Sequence, residues 1–354
     1  MRVGVNSLFL IPREVGGTEI YVRSVLPAMT DVHPDVEWVV FTNAENHDSF
    51  ADYERIPLGV RATSRTQRIL AEQRTLPRLA REAGIDLLYS PGYTAPIRKR
   101  CPQVTTIHDT QMFDFPEDFS WYARKAQKVL VGKGARASDA VTTVSDFSRH
   151  RIHRHFGVPL DRIVVAHSAL SGLFAKPQPC AMEEPFLLYV AATYPHKNAT
   201  RLVNVFAAIA DKIPHTLVLV GQPRDGEPPP HPRMKRLHHI PYEELIGLFQ
   251  HAGLVVFPSE YEGFGRPVPE AQEAGTRVIA ADAACIPEIA GDGATFFDPT
   301  DEEAIARAIL DALDESADVR QRYIDAGLEN AKRFTWKDCA RQTYKAFELA
   351  LGEQ

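Results

Sequence analysis

The chain has 354 residues, 44 % hydrophobic and 24 % charged, a balance that excludes a disordered or fibrous chain and fits two globular domains. No run approaches the roughly 18 uninterrupted apolar residues of a membrane span, and Cys101, Cys180, Cys285 and Cys339 lie too far apart for a disulfide framework or a CxxC zinc pair. The net charge of -6 divides unevenly: residues 1–170 hold 22 Lys and Arg against 19 Asp and Glu, residues 171–354 hold 18 against 27, an asymmetry that bears on partners.

The opening MRVGVNSLFLIPREVGG has no small-residue cleavage site and reads as a buried first strand, so a cytoplasmic chain is expected. In chain order, Arg2–Leu10, Val36–Phe41, Leu87–Tyr89, Val104–Ile107, Ala140–Val144 and Ile163–Val165 are strand candidates. Between them come helical stretches such as Thr18–Met29, with Ile20, Val25 and Met29 near one face. Strands alternating with helices predict a parallel sheet covered on both faces. Ser168–Pro185, with three prolines and no periodicity, reads as a linker. The pattern then restarts. Phe186–Val190, Thr216–Val220, Leu254–Phe257, Arg277–Ala281 and Thr295–Phe297 are strand candidates, and Ala199–Ala210, Tyr242–His251, Pro269–Ala274 and Glu302–Leu313 are helical. Gln222–Pro232 reads as an exposed proline-rich loop, and Trp336–Leu351 as a terminal helix. The expected organisation is an α/β pair of tandem domains, residues 1–170 and 171–335, with 336–354 packing back on the first and ligands in the cleft between.

Four segments at strand ends carry the chemistry. Gly16-Gly17, after the first strand, lets backbone amides approach a phosphate at a helix start; the plainer alternative is a tight turn with Thr18 as N-cap. Phe257–Ala271 (FPSEYEGFGRPVPEA) is the densest. Gly263 and Gly265 turn the chain so that amides face an anion, Pro269 fits the first helical position, and Glu270 then lies in the first turn. Glu262, on the loop, can address the other end of the same ligand. Pro195-His196-Lys197-Asn198 places a cation after the first strand of the second half, where it can neutralise a phosphate. Thr106-Ile107-His108-Asp109 ends a strand of the first half.

These residues resemble a retaining glycosyltransferase of the GT-B fold, family four. The resemblance covers nearly the whole chain. It rests on GGTEIYVRSVLPAM, TIHDTQMFDFPEDFS, VTTVSDFSRHRIHRHFGVPLDRIVV, PHKN, Glu262 and Glu270 within PSEYEGFGRPVPEAQEAG, and IPEIAGDGATFFDP around Glu288. It implies two Rossmann-like domains, the first for the acceptor and the second for a nucleoside-diphosphate sugar, a GDP- or UDP-hexose with GDP-mannose favoured. Glu262 would contact hydroxyls of the donor sugar and Glu270 the ribose. Amides around Phe264 and Gly265, with Gly16 and Gly17, would meet the diphosphate. Lys197 would neutralise it, and His108 would bond the hexose. Ala191 stands where many members have Arg, and His196 where others have Arg; Arg266 is the candidate substitute cation. The proline-rich loop replaces a helix usual after Val220-Gly221.

The implied mechanism is same-face transfer in which the departing phosphate oxygen takes the acceptor proton, without a metal or other cofactor. The alternatives are another enzyme of this fold, such as a nucleotide-sugar epimerase or phosphorylase, and a non-catalytic nucleotide-sugar-binding protein. Arg61, Arg65, Arg68, Arg74, Arg78 and Arg81 with only Glu72 among them, and Arg149, Arg151 and Arg154 beside three histidines, read either as solvated helix faces or as a docking surface for an anionic membrane. The acceptor is expected to be a saccharide or lipid-linked glycan, and no nucleic-acid motif is present.

Overall fold

A computed structural model describes residues 1–13, 16–116, 121–191, 194–222 and 231–353, the side chains of residues 121–123 and 126 excepted. The chain divides into two compact units, Met1–Ala169 with Trp336–Gln354, and Leu170–Thr335.

The first unit holds seven strands: β1 (Arg2–Asn6), β2 (Glu37–Thr42), β3 (Glu54–Pro57), β4 (Leu87–Ser90), β5 (Gln103–Thr106), β6 (Ala140–Thr143) and β7 (Ile163–Val165). They form one sheet in the order β3-β2-β1-β4-β5-β6-β7, with every described pairing parallel. Parallel strands covered on both faces need continuous apolar sequence, and β4 (LLYS) and β6 (AVTT) are buried at every position. The helices are α1 (Gly17–Val32), α2 (Arg65–Glu82), α3 (Gln111–Asp114), α4 (Trp121–Ala137) and α5 (Asp146–Phe156).

Helix α1 corrects the expected apolar face. Tyr21, Val22, Val25, Leu26 and Met29 face the core, and Ile20 is 43 % exposed. Its cap is Gly16 at φ +63°, with no side-chain bond, so Thr18 is not the N-cap. The first strand also ends at Asn6, short of Leu10; Asn43 and Asn46 hold the turn that follows, their side-chain amides donating to the carbonyls of Ser7, Leu8 and Leu10.

The second unit carries β8 (Phe186–Val190), β9 (Thr216–Val220), β10 (Met234–Leu237), β11 (Leu254–Phe257), β12 (Val278–Ala281) and β13 (Ala294–Phe297), ordered β10-β9-β8-β11-β12-β13 and likewise parallel. Around them lie α6 (Ala199–Ile209), α7 (Tyr242–His251), α8 (Pro267–Glu273), α9 (Ile286–Ala290), α10 (Glu302–Asp314) and α11 (Ala317–Ala331). One apolar core runs through this unit, with Phe186, Phe206, Phe249 and Phe257 fully buried. Burial of each side chain of this size is worth about 1.5–3 kcal/mol.

The segment read as a linker is a built part of this unit from Leu170 onward. Phe174 is in its core at 0 % exposure, and Gln250 donates to the carbonyls of Phe174 and Lys176 while accepting from the Gln178 amide. A Cβ at Gly247 would stand 2.1 Å from the Pro179 carbonyl, so only glycine lets the segment lie against α7. The helix α12 (Trp336–Leu351) belongs to the first unit, where Phe347 packs against Tyr89 and Trp38 and Tyr344 stacks on His33. Most of the proline-rich loop, 223–230, lies outside the described residues.

Candidate active site

In an open parallel sheet, ligands collect at the carboxyl ends of the strands where the strand order reverses. In the second unit that point lies between β8 and β11. The loop after β8 forms a short 3-10 turn, Pro195–Lys197, and Asn198 at φ +61° sends the chain into α6. The loop after β11 runs alongside. The Glu260 amide donates to the His196 carbonyl at 2.8 Å, and Arg201 ties Asn198, Glu260 and the Pro299 carbonyl together through one nitrogen. This stitching brings Lys197 and Glu262 together, Nζ to Oε1 at 2.7 Å, with their side chains 18 % and 12 % exposed. His196 is 2 % exposed and its ring stacks on Tyr194, so in the free protein it serves as a packing group and supplies its carbonyl to the seam.

Gly265, at φ +75°, turns the chain back toward the sheet, where a Cβ would stand 3.5 Å from Glu262 Cγ and from Phe257. Phe264 is buried edge-on against Phe334. The helix α8 begins at Pro267, two residues earlier than expected. A proline lacks the amide that the first turn leaves unsatisfied in any case, so both Pro267 and Pro269 fit there. Glu270 remains in the first turn and is 7 % exposed. Arg266, expected as a free cation, is committed to that carboxylate: Nε and Nη2 donate to Glu270 Oε1 at 3.1 and 2.9 Å. Its Nη1 is buried without a partner. Cys285, at the cap of α9, is fully buried; burial first, then the charges of Glu262 and Glu288, pushes its thiol well above the usual range. It is therefore protonated and no nucleophile at neutral pH.

In the first unit the order reverses between β1 and β4. Gly16 and Gly17 are exposed at the start of α1, and a Cβ at either would meet nothing within 4 Å, so their backbone is approachable; Glu14 and Val15 lie outside the described residues. His108 follows β5. Its Nε2 lies 3.1 Å from the Pro91 carbonyl, which can only accept, so Nε2 carries the proton and Nδ1 offers a lone pair. Burial lowers the His108 pKa, against the opposing Pro91 bond and the nearby Asp109 charge, and keeps the ring neutral. Its ring meets Tyr21 edge-on at 4.8 Å, and Tyr21 in turn meets Trp336 of α12. Nothing in the sequence advertised this backing, because Trp336 is remote from both partners along the chain.

The two-unit fold, with glycine amides and charged side chains at the strand ends, defines the GT-B class of glycosyltransferases. The chain matches the profile described as Glycosyltransferase Family 4 over residues 15–170 and the profile described as Glycosyl transferases group 1 over residues 174–330, and it belongs to glycosyltransferase family 4. It is 28 % identical to O-antigen chain mannosyltransferase B of Escherichia coli, over 98 % of this chain and 96 % of that protein. Among solved structures, it resembles sucrose-phosphate synthase from Thermosynechococcus elongatus with a TM-score of 0.77 at 18 % identity, each chain covered completely. It also resembles HepE of Anabaena in complex with UDP-glucose, with a TM-score of 0.73 at 18 % identity, covering 98 % of this chain and 99 % of that one. These structural likenesses speak to the fold. No helix among the described residues is long and apolar enough to cross a membrane.

Proposed function

We propose that the protein moves a hexose, with retention at the anomeric carbon, from a nucleoside-diphosphate sugar to a hydroxyl of a saccharide or lipid-linked glycan, with GDP-mannose as donor. The observation that carries this reading is the Lys197–Glu262 pair at the switch point of the second unit, with Glu270 on the helix that follows. In a sugar transfer, charge develops on the departing diphosphate, so a cation there lowers the barrier once the donor has parted it from Glu262. Lys197 and the amides of Gly263 to Gly265 take that charge. Glu270, oriented by Arg266, accepts from the ribose hydroxyls, and Glu262 accepts from hydroxyls of the sugar. His108, neutral and with Nδ1 available, accepts from a further hexose hydroxyl. The bond from the anomeric carbon to the diphosphate breaks as the acceptor oxygen bonds that carbon on the same face, the leaving phosphate oxygen takes the acceptor's proton, and Lys197 holds the negative charge that builds on the diphosphate. Mannose is favoured because the Escherichia coli relative is named a mannosyltransferase. The resemblance to a UDP-glucose complex makes UDP-glucose the donor to test beside it.

Lys197→Ala and Glu270→Ala should each lower transfer by at least about a hundredfold, read as nucleoside diphosphate released from GDP-mannose and UDP-glucose with a glycan acceptor. Near-normal turnover in either variant refutes the assignment, and an inverted anomeric centre by NMR of the product refutes the same-face mechanism.

A further inference from the structure

The first unit has its own switch point, and a charged cluster occupies it. Asn6 ends β1 and Ser90 ends β4, the neighbouring strands where the order reverses. Between them lies Glu72 of α2, 1 % exposed. Its oxygens are taken: Oε2 accepts from Thr94 at 2.7 Å and from Asn6 at 3.3 Å, and Oε1 accepts from Gln73 at 3.0 Å. One helical turn closer to the start of α2 stands Arg68. Of the six arginines in this stretch, the other five are exposed, and Arg68 alone is half-buried. Its Nε is buried without a hydrogen-bond partner, and none of its side-chain nitrogens bonds to a described residue. Burial, and then the like charge of Arg65, lower its pKa, while Glu72 opposes them.

A buried donor left unused is costly, because its desolvation is not repaid by a hydrogen bond, and Nε of Arg68 is such a donor while its terminal nitrogens remain open to a partner. Glu72 supplies charge but no free oxygen, so the fork of Arg68 is left for something outside the protein. Arg65, one turn away and exposed, adds a second fork with no partner among the described residues. Two guanidinium charges are only half matched by one carboxylate, whereas a phosphoryl group presents three oxygens and up to two charges. We propose that the start of α2, beside the carboxyl ends of β1 and β4, holds a phosphoryl group of the acceptor substrate, with Arg68 as the residue that grips it. The proposal rests on the glycosyl-transfer reading and adds the chemical class of the acceptor. It also separates Arg68 from the exposed arginines of α2.

The test uses the full chain saturated with GDP, and in parallel with UDP, so that the nucleotide site is filled. Mannose 1-phosphate, neutral methyl α-mannoside and phosphatidic acid vesicles are then titrated into wild type, Arg68→Gln and Arg68→Lys. Mannose 1-phosphate should bind wild type, bind Arg68→Gln at least about tenfold more weakly, and bind Arg68→Lys between the two, because an ammonium lacks the fork. Methyl α-mannoside should not distinguish the variants, and the GDP affinity should be common to all three. Binding confined to the vesicles and lost in Arg68→Gln supports the same grip with a lipid as the phosphoryl source. Equal binding of mannose 1-phosphate by wild type and Arg68→Gln overturns the proposal, as does binding no better than that of methyl α-mannoside with the vesicles also silent. Should Arg68→Gln fail to fold, Arg65→Gln serves instead, with about threefold weaker binding expected and an unchanged affinity overturning the assignment. Failure of both GDP and UDP to bind refutes the transferase reading separately.

Discussion

Lys197 and Glu262 are each other's partner in the free protein, and the proposed reaction needs them apart. The two charges stand 2.7 Å apart with both side chains largely buried. At an effective dielectric of about 20 their attraction is about 6 kcal/mol, most of it offset by the desolvation of both ions. Glu262→Gln keeps a carbonyl oxygen for Lys197 Nζ to bond and removes the charge. The bond that remains is still assisted by the ammonium's charge, so what is lost is the part of the ion-pair attraction that desolvation leaves, roughly 1–1.5 kcal/mol of hold on the ammonium. That freedom goes to the incoming diphosphate, and GDP or UDP should bind about tenfold more tightly to Glu262→Gln than to wild type. Titration calorimetry with the nucleoside diphosphate, which has no sugar for Glu262 to meet, isolates the effect. Sugar transfer by the same variant should fall, so affinity and turnover move in opposite directions. Unchanged or weaker diphosphate binding would show that Glu262 does not restrain Lys197, and the reasoning would fail.

Arg266→Leu removes both bonds to Glu270 Oε1, and the donor KM should rise about tenfold with kcat changed less than threefold, as expected when an interaction common to ground and transition states is loosened; Arg266→Lys should recover part of it. An unchanged KM would mean that Glu270 is held by its surroundings alone. The His155 pKa is pushed down to about 4 by burial first, then by Arg151, Arg154 and Lys128. With an unfolded value of about 6.5, its contribution is fully present above pH 6.5 and is lost as pH falls toward 4, because the unfolded chain takes the proton first. Urea midpoints at pH 7 and pH 4.5 should therefore lie closer together in His155→Gln than in wild type, and an identical drop in both proteins would rule the residue out as a source of acid sensitivity.

Much of the fold was legible because central strands of a parallel sheet are buried on both faces. Phe186–Val190, Thr216–Val220 and Leu254–Phe257 were readable to the residue as uninterrupted apolar runs. The strands that were not legible, β3 (ERIP) and β10 (MKRL), each lie at one edge of a sheet and carry charged residues there, whereas β7 (IVV) and β13 (ATFF) at the opposite edges keep an apolar run. Prolines between 168 and 185 suggested freedom, yet the packing of Phe174 and the amide of Gln250 decide that segment, and neither has a local signature. The family motif singles out Glu262, Glu270 and Lys197 as candidates. The pairing of Lys197 with Glu262 depends on which loops become neighbours at the reversal of strand order. A spacing within one helix, as in Arg266–Glu270, was within reach of the i,i+4 rule.

The path of the chain also sets the order in which the molecule can be finished on the ribosome. The second unit is one continuous stretch, Leu170–Thr335, and has all its strands and helices before α12 is made. The first unit does not. Until residues 336–351 emerge, the aromatic side chains of Tyr21, Trp38 and Tyr89 lack the wall that Trp336 and Phe347 provide. Domains generally complete in the order of synthesis, and here that order is reversed. The amino-terminal half lacks part of its apolar cover at the point in the chain where the later half has all its elements. Docking of α12 is then the event that completes the core behind His108, so a chain lacking residues 336–351 would leave that core open while the second unit keeps all its elements.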